Sequence, residues 1–458
     1  MYKDGKIDPS RRRFIRDSAT ALGIVTGSLL VPGFTRAQSG DPPILLTNFE
    51  LFDGQRLEMQ SGLDILVQNG RIVDLLRSGQ GPTEATVLDC GGRSVIPGLI
   101  DCHVHMTLMA VTELVALSGD VSLVHLIAGQ QAGAMLRRGF TTVRDVGGPV
   151  FGLKTAIDRG ILEGPKIFPS GAAISQTSGH GDFRMLHELP RMPSTPANRI
   201  EAEGVNVIAD GVPEVLRRSR EQLMKGASQL KIMAGGGVSS LYDPLDTVQY
   251  SLEEMRAAVQ SAADWGTYVC AHAYTPKGIK RCVEAGIKSI EHGQLADEES
   301  AKRMADAGVW WSIQPFLADE DANPQTDPRS REKQQAVADG TVRAFELGRK
   351  HRVSMAFGTD ILFNPAGAAS QGRQLAKFAR FMSPLEALRL ATGAAGELLS
   401  MSGERAPYDG PLGVIKPGAP ADLLVVEANP SENLDWLAST NDTLALIMKD
   451  GRTVASTL

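Results

Sequence analysis

The feature that most constrains the fold is an alternation, along the middle of the chain, of short apolar segments with longer segments of helical periodicity. Such alternation favours parallel βα units over an antiparallel sheet. The strand candidates are residues 100–105, 141–145, 166–170, 229–233, 268–272, 289–292, 310–313 and 353–358. Eight βα units in succession predict a closed (β/α)8 barrel of the TIM type.

The segments between the strands support the barrel over an open, doubly wound sheet. Helical periodicity is clear at residues 123–138, 214–225, 252–265, 298–307 and 340–351. A doubly wound sheet needs a Gly-rich phosphate turn after an early strand, and Gly235-Gly236-Gly237 is a weak substitute. Three glycines after a strand more often let a loop pass close to a substrate or a neighbouring backbone. The Asp-, Pro- and Asn-rich stretch 318–333 predicts a long surface loop at the barrel mouth.

Both ends of the chain have the character of a small β-domain. Residues 44–95 alternate short β-rich segments with Asp-Gly, Asn-Gly and Gly-Gly turn signals, and residues 418–451 repeat this pattern. We expect one β-sandwich domain built from residues 42–96 and 405–458. The barrel then occupies residues 97–404.

The N-terminal segment resembles a twin-arginine export signal. Residues 10–16, Ser-Arg-Arg-Arg-Phe-Ile-Arg, precede an apolar stretch at 19–31 and then Thr-Arg-Ala at 35–37. A basic tail or a membrane anchor is the alternative, but the apolar stretch is shorter than the roughly 20 residues that span a bilayer. The pattern predicts a signal at residues 1–37 and a periplasmic mature protein with no membrane segment.

Charge and cysteine content narrow the possible partners. The formal net charge is −6, so there is no basic surplus to neutralise phosphates, and a nucleic-acid partner is not expected. A small-molecule partner fits better. The four cysteines show no CxxC spacing and are predicted to be buried free thiols rather than a zinc knuckle or redox pair.

The first predicted strand carries two histidines at alternate positions. Side chains two apart on a strand leave the same face, so His103 and His105 both point into the barrel while Cys102 and Val104 point outward. Two imidazoles that converge from a rigid strand end suit a metal ion such as zinc. Taken alone, the motif is equally compatible with a structural histidine pair.

A lysine in the fourth predicted strand raises the case for metal. Lys231 stands among apolar residues, where a charged amine is costly to bury. It is either a solvated edge residue or a lysine converted by carbon dioxide to a carbamate, whose two oxygens act like a bridging carboxylate. Burial lowers the pKa of a lysine and so supplies the neutral amine that carbamate formation requires. A carbamate in this position needs two nearby cations.

Three more polar residues end other predicted strands. His272 ends the fifth, His292 ends the sixth, and Asp360 follows the eighth. Asp360 alone would be interpreted as a turn or helix-capping residue. Barrel enzymes, however, place catalytic groups at the carboxyl ends of strands. The predicted metal ligands at that face are His103, His105, Lys231, His272, His292 and Asp360.

These residues carry a family resemblance. Residues 95–105, Val-Ile-Pro-Gly-Leu-Ile-Asp-Cys-His-Val-His, resemble the opening signature of the metal-dependent amidohydrolase superfamily. The lysine strand, the two single-histidine strands, Gly-Thr-Asp at 358–360 and the turn at 418–422 follow in the family's order. The segments 178–182, 231–238 and 271–274 are most similar to the prolidase-like dipeptidases and the ochratoxinase-like amidases. The resemblance covers essentially everything after the signal.

The resemblance implies a binuclear-metal hydrolase that cleaves an amide bond to a C-terminal amino acid, in a dipeptide, an N-acyl amino acid or an ochratoxin-like amide. Two divalent ions about 3.5–4 Å apart would share one hydroxide and polarise the scissile carbonyl. Zinc is the expected metal, and the implied distribution is His103, His105 and Asp360 on one ion, His272 and His292 on the other, and carbamylated Lys231 as the bridge.

The resemblance also suggests roles near the substrate and an assembly state. Asp360 would take the proton of the water and deliver it to the leaving amine. His180 could donate to the carbonyl oxygen or to the free carboxylate of the substrate, and its alternative is a loop histidine that binds nothing. Tyr274 shares the face of His272 and could serve similarly. The family likeness points to a homo-oligomer.

Three alternatives stay open at this point. A mononuclear ring-opening or deaminating enzyme of the same superfamily would not need the bridging Lys231. A cyclic amide hydrolase of the imidazolonepropionase type makes similar demands on the metals, so only the pocket residues could distinguish it. A metal-free scaffold descended from an enzyme is the third, and the intact set of six ligand positions argues against it.

Overall fold

Strands and helices alternate through the part of the chain that the computed structural model describes, residues 42–191, 195–323 and 325–458. The export signal predicted at residues 1–37 lies outside these residues. In chain order the strands are β1 (Ile44–Leu51), β2 (Leu63–Gln68), β3 (Arg71–Arg77), β4 (Thr86–Pro97), β5 (Leu99–Val104), β6 (Phe140–Asp145), β7 (Lys166–Pro169), β8 (Ala173–Ser175), β9 (Asn206–Ile208), β10 (Leu230–Met233), β11 (Val269–Ala273), β12 (Ser289–His292), β13 (Trp310–Ile313), β14 (Met355–Phe357), β15 (Leu423–Val426), β16 (Leu444–Lys449) and β17 (Arg452–Ser456).

Each strand predicted for the barrel is present, and these strands run parallel in chain order. They are β5, β6, β7, β10, β11, β12, β13 and β14. Backbone hydrogen bonds also cross the two places where the ladder is interrupted. The Ser228 amide donates to the Pro169 carbonyl at 2.7 Å between β7 and β10, and the Asp360 amide donates to the His103 carbonyl at 2.8 Å beside β14 and β5. This order is that of a (β/α)8 barrel.

An insertion after β7 carries the chain to the segment that contains His180. Gly171 turns the chain at a φ of 72°, which favours glycine. The two short strands that follow were not predicted from the sequence: β8 pairs with β10, with Ile174 opposite Ile232, and β9 pairs with β8. Residues 178–182 therefore leave the barrel beside the end of β10.

The helices lie between the strands. They are Glu113–Ser118, Val121–Arg137, Phe151–Asp158, Arg199–Glu203, Val212–Met224, Leu252–Asp264, Pro276–Ala285, Glu298–Asp306, Pro328–His351, Gln371–Ala376, Pro384–Leu390, Gly393–Ser400 and Thr440–Thr443, with short 3₁₀ turns at Leu186–Glu188, Lys377–Arg380, Gly403–Arg405 and Asp435–Ser439. Through the described ranges, no helix is both long and apolar enough to span a bilayer.

One helix begins earlier than predicted. The stretch 318–333 was expected to be a surface loop, but the loop ends at Asp327, whose carboxylate accepts hydrogen bonds from the amides of Arg329 and Ser330. Pro328 occupies the first helical turn, where its missing N–H costs nothing. The prediction was wrong for residues 328–333 because a polar, proline-containing stretch is also typical of a capped helix start.

Strands from both ends of the chain share one seven-stranded sheet, in the order β17-β16-β15-β4-β1-β2-β3. The long strand β4 is central, because it pairs parallel with β1 and antiparallel with β15. Apolar residues from both chain ends, including Leu46, Val95 and Leu423, form one buried cluster on it. The two ends thus build one β domain, while its limits at 42–96 and 405–458, and those of the barrel at 97–404, stay predictions.

A buried ion cluster links the barrel to the C-terminal segment. The ammonium of Lys166, at the start of β7, lies 2.8 and 2.7 Å from the two carboxylate oxygens of Asp422 and 2.7 Å from Asp450. Burial would lower the pKa of Lys166, but the two carboxylates outweigh it and raise the pKa. The lysine therefore stays charged inside the protein.

Candidate active site

A cavity of about 360 Å³ opens at the carboxyl ends of the barrel strands. This is the face at which barrel enzymes carry their catalytic groups. The side chains that the sequence singled out all line it: His103, His105, His180, Lys231, His272, Tyr274, His292 and Asp360. The structure therefore brings the whole predicted set together.

His103, His105 and Asp360 meet at the inner end of the cavity. One carboxylate oxygen of Asp360 lies 3.3 Å from His103 Nε2 and 3.2 Å from His105 Nε2. Gly358 allows this approach, because a Cβ at that position would lie 2.5 Å from the Cβ of His103. The two histidines of β5 and the aspartate after β14 thus converge across the seam of the barrel.

The other ring nitrogens of these histidines are already engaged. His103 Nδ1 lies 2.8 Å from the Glu291 carboxylate, and His105 Nδ1 lies 2.9 Å from the Gly147 carbonyl. Both partners are acceptors, so each Nδ1 carries the proton and each Nε2 of a neutral ring presents its lone pair. Two lone pairs then face the Asp360 carboxylate, an arrangement that a cation stabilises.

His292 joins this cluster from β12. Its Nδ1 is 3.9 Å from the second oxygen of Asp360, and His103, His292 and Asp360 form a group whose spacing could hold a metal ion. His292 has a φ of 79° and Asp360 a φ of 52°, a backbone region that is costly for residues other than glycine. The indole Nε1 of Trp311 donates to the His292 carbonyl and so supports the unusual backbone. Strain of this kind is characteristic of functional sites.

His272 and Lys231 complete the inner wall. The ring of His272 lies 4.6 Å from that of His292, measured between centroids. Lys231 is only 2% exposed, and its ammonium forms no hydrogen bond or ion pair with any residue of the described ranges. Burial lowers the pKa of Lys231 below the ordinary lysine value. A buried amine with a lowered pKa and no polar partner is the group that carbamate formation requires.

The protonation states of the cluster suit metal binding. Burial lowers the pKa of His272 and of His292 well below the ordinary imidazole value, so both rings are neutral and keep a lone pair. Burial would raise the pKa of Asp360, but His103 and the other imidazoles outweigh it and hold the pKa well below its usual range. Burial would likewise lower the pKa of His105, but Asp360 raises it, which means that this point of the cavity attracts positive charge.

Sequence reasoning missed the residue that orients His103. Glu291 is fully buried and contacts His103 Nδ1, and its two carboxylate oxygens lie 2.8 and 2.7 Å from Nη2 of Arg144. Arg144 in turn donates to the Cys102 carbonyl and to Tyr268. A carboxylate behind a histidine fixes the ring and raises its basicity as a metal ligand. The only local signal was a glutamate beside His292 in an apolar strand.

His292 and His272 have neutral partners instead. The Oε1 atom of Gln314 lies 2.8 Å from His292 Nδ1, and the Gly236 carbonyl lies 3.1 Å from His272 Nε2. Gln314, which follows β13, was also missed, because a glutamine after a strand carries no metal-binding signal. The imidazole of His103 is therefore backed by a negative charge, whereas those of His292 and His272 are backed by uncharged oxygens.

His180 lies flat against the ring of His272, with 4.2 Å between ring centroids. Its Nδ1 is 2.6 Å from the Ser240 hydroxyl and 3.4 Å from the Asp243 carboxylate. Nε2 has no hydrogen-bond partner within the described part of the chain, and the residue lines the cavity. The imidazole is thus held on one side and open to a ligand on the other.

Tyr274 faces the same cavity just beyond the end of β11. Its ring stacks on His292 with 5.0 Å between centroids and lies edge-on to His272 at the same distance. Burial raises the pKa of its phenol well above the ordinary value, so the hydroxyl stays protonated and can donate. The strand-face prediction for Tyr274 agrees with this position.

Aromatic rings line part of the outer cavity, which is bordered by the loop after β13. Phe183 and Phe363 approach edge to face at 6.3 Å between centroids, and Phe316 stacks against His292 at 5.9 Å. At the rim, Lys377 lies 2.6 Å from Asp319 and 3.0 Å from Asp321. Six of the residues expected in a mouth loop line the opening: Asp319, Asp321, Ala322, Asn323, Gln325 and Thr326.

Known proteins resemble this chain along most of its length. The amidohydrolase family model matches residues 94–454. The ochratoxinase of Aspergillus niger is 33% identical over 425 residues, which cover 90% of this chain and 82% of that protein.

Solved structures agree with the sequence match. A prolidase complexed with N-methylphosphonate-L-proline superposes with a TM-score of 0.83 at 35% identity, covering 91% of this chain and 100% of that one. A Xaa-Pro dipeptidase with methionine bound in its active site gives a TM-score of 0.77 at 28% identity, covering 90% and 100%. The chain belongs to the amidohydrolase family, in its ochratoxinase and prolidase branch, and is a hydrolase that acts on amide or peptide bonds.

Proposed function

We propose that the protein hydrolyses the amide bond to a C-terminal amino acid, in a dipeptide, an N-acyl amino acid or an ochratoxin-like amide. The observation that carries this proposal is the buried, unpartnered amine of Lys231 beside four histidines and an aspartate at the inner end of one cavity. The relatives named ochratoxinase, prolidase and Xaa-Pro dipeptidase support the choice of bond.

The chemistry of the donor set supports a site for two divalent metal ions. The buried Nε2 of His103 has no hydrogen-bond partner among the described residues, and neutral imidazoles, a carboxylate and a carbamate are all zinc ligands. His103, His105 and Asp360 would hold one ion, His272 and His292 the other, and carbamylated Lys231 would bridge them, with zinc as the expected metal. When bound, the two ions would activate water and polarise the scissile carbonyl.

The chain itself would handle the protons and the substrate. Asp360 is a carboxylate with a lowered pKa at the junction of the histidines, a position from which it can accept the proton of the attacking water. It would then return that proton to the leaving amine nitrogen. The free Nε2 of His180 and the phenol of Tyr274 would donate to the carbonyl oxygen or the terminal carboxylate of the substrate.

The outer cavity supports a bulky amide. Phe183, Phe316 and Phe363 supply apolar ring surface near the polar inner end. Burying an aromatic group against such surface stabilises binding by roughly 25 cal/mol per Å² of apolar area. A substrate with a large apolar acyl group or side chain would therefore bind better than a small dipeptide.

We also propose that the mature enzyme works in the periplasm after twin-arginine export and that it assembles as a homo-oligomer. The location is supported by the arginine motif and apolar stretch of residues 10–37. Size-exclusion chromatography with light scattering and fractionation of cells that express the full chain test these two points. A monomer, or retention in the cytoplasm, would contradict them.

A substrate panel tests the proposed reaction. Purified wild type is assayed on N-acyl amino acids, dipeptides and aromatic amides with a free terminal carboxylate, and on cyclic amides as the competing class. We expect hydrolysis of linear amides and loss of several orders of magnitude in Asp360→Asn and Lys231→Ala. Hydrolysis of cyclic amides alone would replace the proposal with the imidazolonepropionase-type activity. Near-native turnover in either variant would overturn the assigned roles.

A further inference from the structure

Residues 237–243, here called the histidine-support loop, begin at the last glycine of the three-glycine segment after β10 and lie against His180. A Cβ on Gly237 would come within 2.0 Å of the His180 ring, and a Cβ on Gly236 within 2.0 Å of the Pro244 carbonyl oxygen. The glycines therefore allow close approach, as the sequence predicted, and the surface approached is an active-site imidazole. The Ser240 hydroxyl of this loop forms a hydrogen bond with His180 Nδ1, and the Asp243 carboxylate lies 3.4 Å from the same atom.

One lysine from the helix Pro328–His351 holds this loop. The Nζ atom of Lys333 donates to the carbonyls of Gly237 at 3.0 Å, Ser240 at 2.9 Å and Asp243 at 2.8 Å. An ammonium has three donors, and here each donor has an acceptor. Among the described residues, Lys333 has no carboxylate partner within ion-pair distance. The three loop carbonyls therefore make the direct contacts to its charge, and the more distant carboxylates of Asp243 and Asp327 attract it as well.

A hydrogen bond between the two ends of the histidine-support loop also stabilises it. The Asp243 carboxylate accepts a hydrogen bond from the Gly237 amide at 2.8 Å. Burial would raise the pKa of Asp243, but its contacts with His180 and Ser240 outweigh it and keep the group ionised. Without Lys333, three loop carbonyls would lose their donor, and the anchor of His180 would lose its backbone support.

The N-terminal part of the helix Pro328–His351 also contacts the loop after β13. Gln334 donates to the Asn323 carbonyl at 2.7 Å, and Asn323 donates to the Leu362 carbonyl at 3.2 Å. Lys333 and Gln334 thus connect the loop after β13, the histidine-support loop and the segment after Asp360. Lys333 lies in the helix that begins at Pro328, so its position is fixed by a regular element.

We propose that Lys333 is a positioning residue for substrate binding, which acts by holding the histidine-support loop and, through Ser240 and Asp243, the imidazole of His180. The inference rests on the proposed function, in which His180 contacts the substrate. It assigns a role in that function to a residue that touches neither the reacting bond nor the six metal ligands.

Steady-state kinetics of Lys333→Met provide the first test. Displacement of a substrate-positioning group by a fraction of an ångström is costly, so we expect kcat/KM to fall by about 10- to 100-fold, mainly through KM. Lys350→Met is the matched control, because it makes the same substitution at the other end of the same helix, where Lys350 pairs with exposed Glu298. The control should behave like wild type.

A double-mutant cycle with His180→Asn separates positioning from general loss of structure. If Lys333 acts through His180, the double variant should match His180→Asn in kcat/KM within about threefold. Additive losses, or an unchanged kcat/KM in Lys333→Met, would overturn the inference. If Lys333→Met does not fold, Lys333→Gln, which keeps two donors, replaces it in the same cycle.

The cycle uses whichever substrate the wild type hydrolyses. If the proposed function fails, the wild type will not hydrolyse linear amides. If only the inference fails, the wild type will be active and the losses in kcat/KM of Lys333→Met and His180→Asn will add in the double variant.

Discussion

The Nδ1 atom of His103 lies 2.8 Å from the Oε2 atom of Glu291, in the interior of the barrel and away from solvent. The carboxylate is held on its other side by the guanidinium of Arg144 and by the Ser289 hydroxyl. Burial would raise the pKa of Glu291, but Arg144 and His103 outweigh it and hold the pKa well below its ordinary value. A permanent negative charge thus fixes the tautomer of one predicted metal ligand.

Replacement of Glu291 by glutamine should weaken both metal binding and folding. It removes the charge behind His103, which we expect to lower metal affinity by about 10- to 100-fold. It also leaves Arg144 buried without a counter-ion, at a cost of about 3–5 kcal/mol in the free energy of unfolding. Metal titration and urea denaturation measure the two effects. Glu299→Gln, an exposed glutamate, is the control, and equal behaviour of the two variants would refute the role of Glu291.

Gly237→Ala tests the contact between the three-glycine segment and His180. The added Cβ would meet the imidazole at 2.0 Å, so the ring must move, whereas at Gly235 the nearest atom lies 3.5 Å away. We expect kcat/KM to fall by at least about tenfold in Gly237→Ala, because a small displacement of a substrate-positioning group is costly. Gly235→Ala should stay near wild type. Indistinguishable kinetics of the two alanine variants would contradict the close packing of His180.

The six predicted metal ligands could be found from the sequence because each lies near the end of, or just after, a short apolar strand, whereas His180 came only from the family resemblance. Strand alternation places His103 and His105 on one face, and the barrel brings the ends of neighbouring strands to one rim. The Gly-Thr-Asp segment at 358–360 similarly marked Asp360. The barrel strands followed from the same periodicity. The turn signals and short β-rich segments predicted a β-sandwich domain shared by both chain ends, and the structure shows these strands in one seven-stranded sheet.

The supporting residues could not be predicted in this way. Glu291 and His292 are neighbours on β12. In a regular strand, neighbouring side chains point to opposite faces, so only one of the two would reach the barrel interior. The φ of 79° at His292 breaks that alternation, so both side chains reach the interior. Lys333 contacts carbonyls about ninety positions earlier in the chain. Its partners are backbone atoms of a loop, which leave no pattern in the sequence.

The ion cluster at Lys166 should contribute strongly to stability. Lys166 is 3% exposed, and Lys166→Met would leave the buried carboxylate of Asp422 without its cation. Loss of one partner of a buried pair costs about 3–5 kcal/mol in the free energy of unfolding. Asp450→Asn is the comparison, because Asp450 is half exposed and its loss should cost below about 1 kcal/mol. Denaturant unfolding curves that show equal losses would contradict this assignment.

Acid stability should depend on Asp321 at the cavity rim. Burial would raise its pKa, but the hydrogen bonds from Arg373 and Lys377 outweigh it and hold the pKa below its ordinary value of 3.8. A carboxyl whose pKa is lower when folded contributes stability above the unfolded value and loses it as the pH falls below that value. Asp321→Asn should therefore lower the melting temperature near neutral pH, and its difference from wild type should shrink below about pH 4. A difference that grows on acidification would contradict the sign of this shift.

Metal analysis of wild type and Lys231→Ala shows whether the cavity holds two divalent ions that depend on the buried lysine. Both proteins are purified without chelator and with bicarbonate present, and bound metal is quantified per chain by elemental analysis. We expect about two divalent ions per wild-type chain, since the proposed ligands divide between two sites, and a clear loss in Lys231→Ala. A wild type with no bound metal, or a Lys231→Ala variant that keeps both ions, would contradict it.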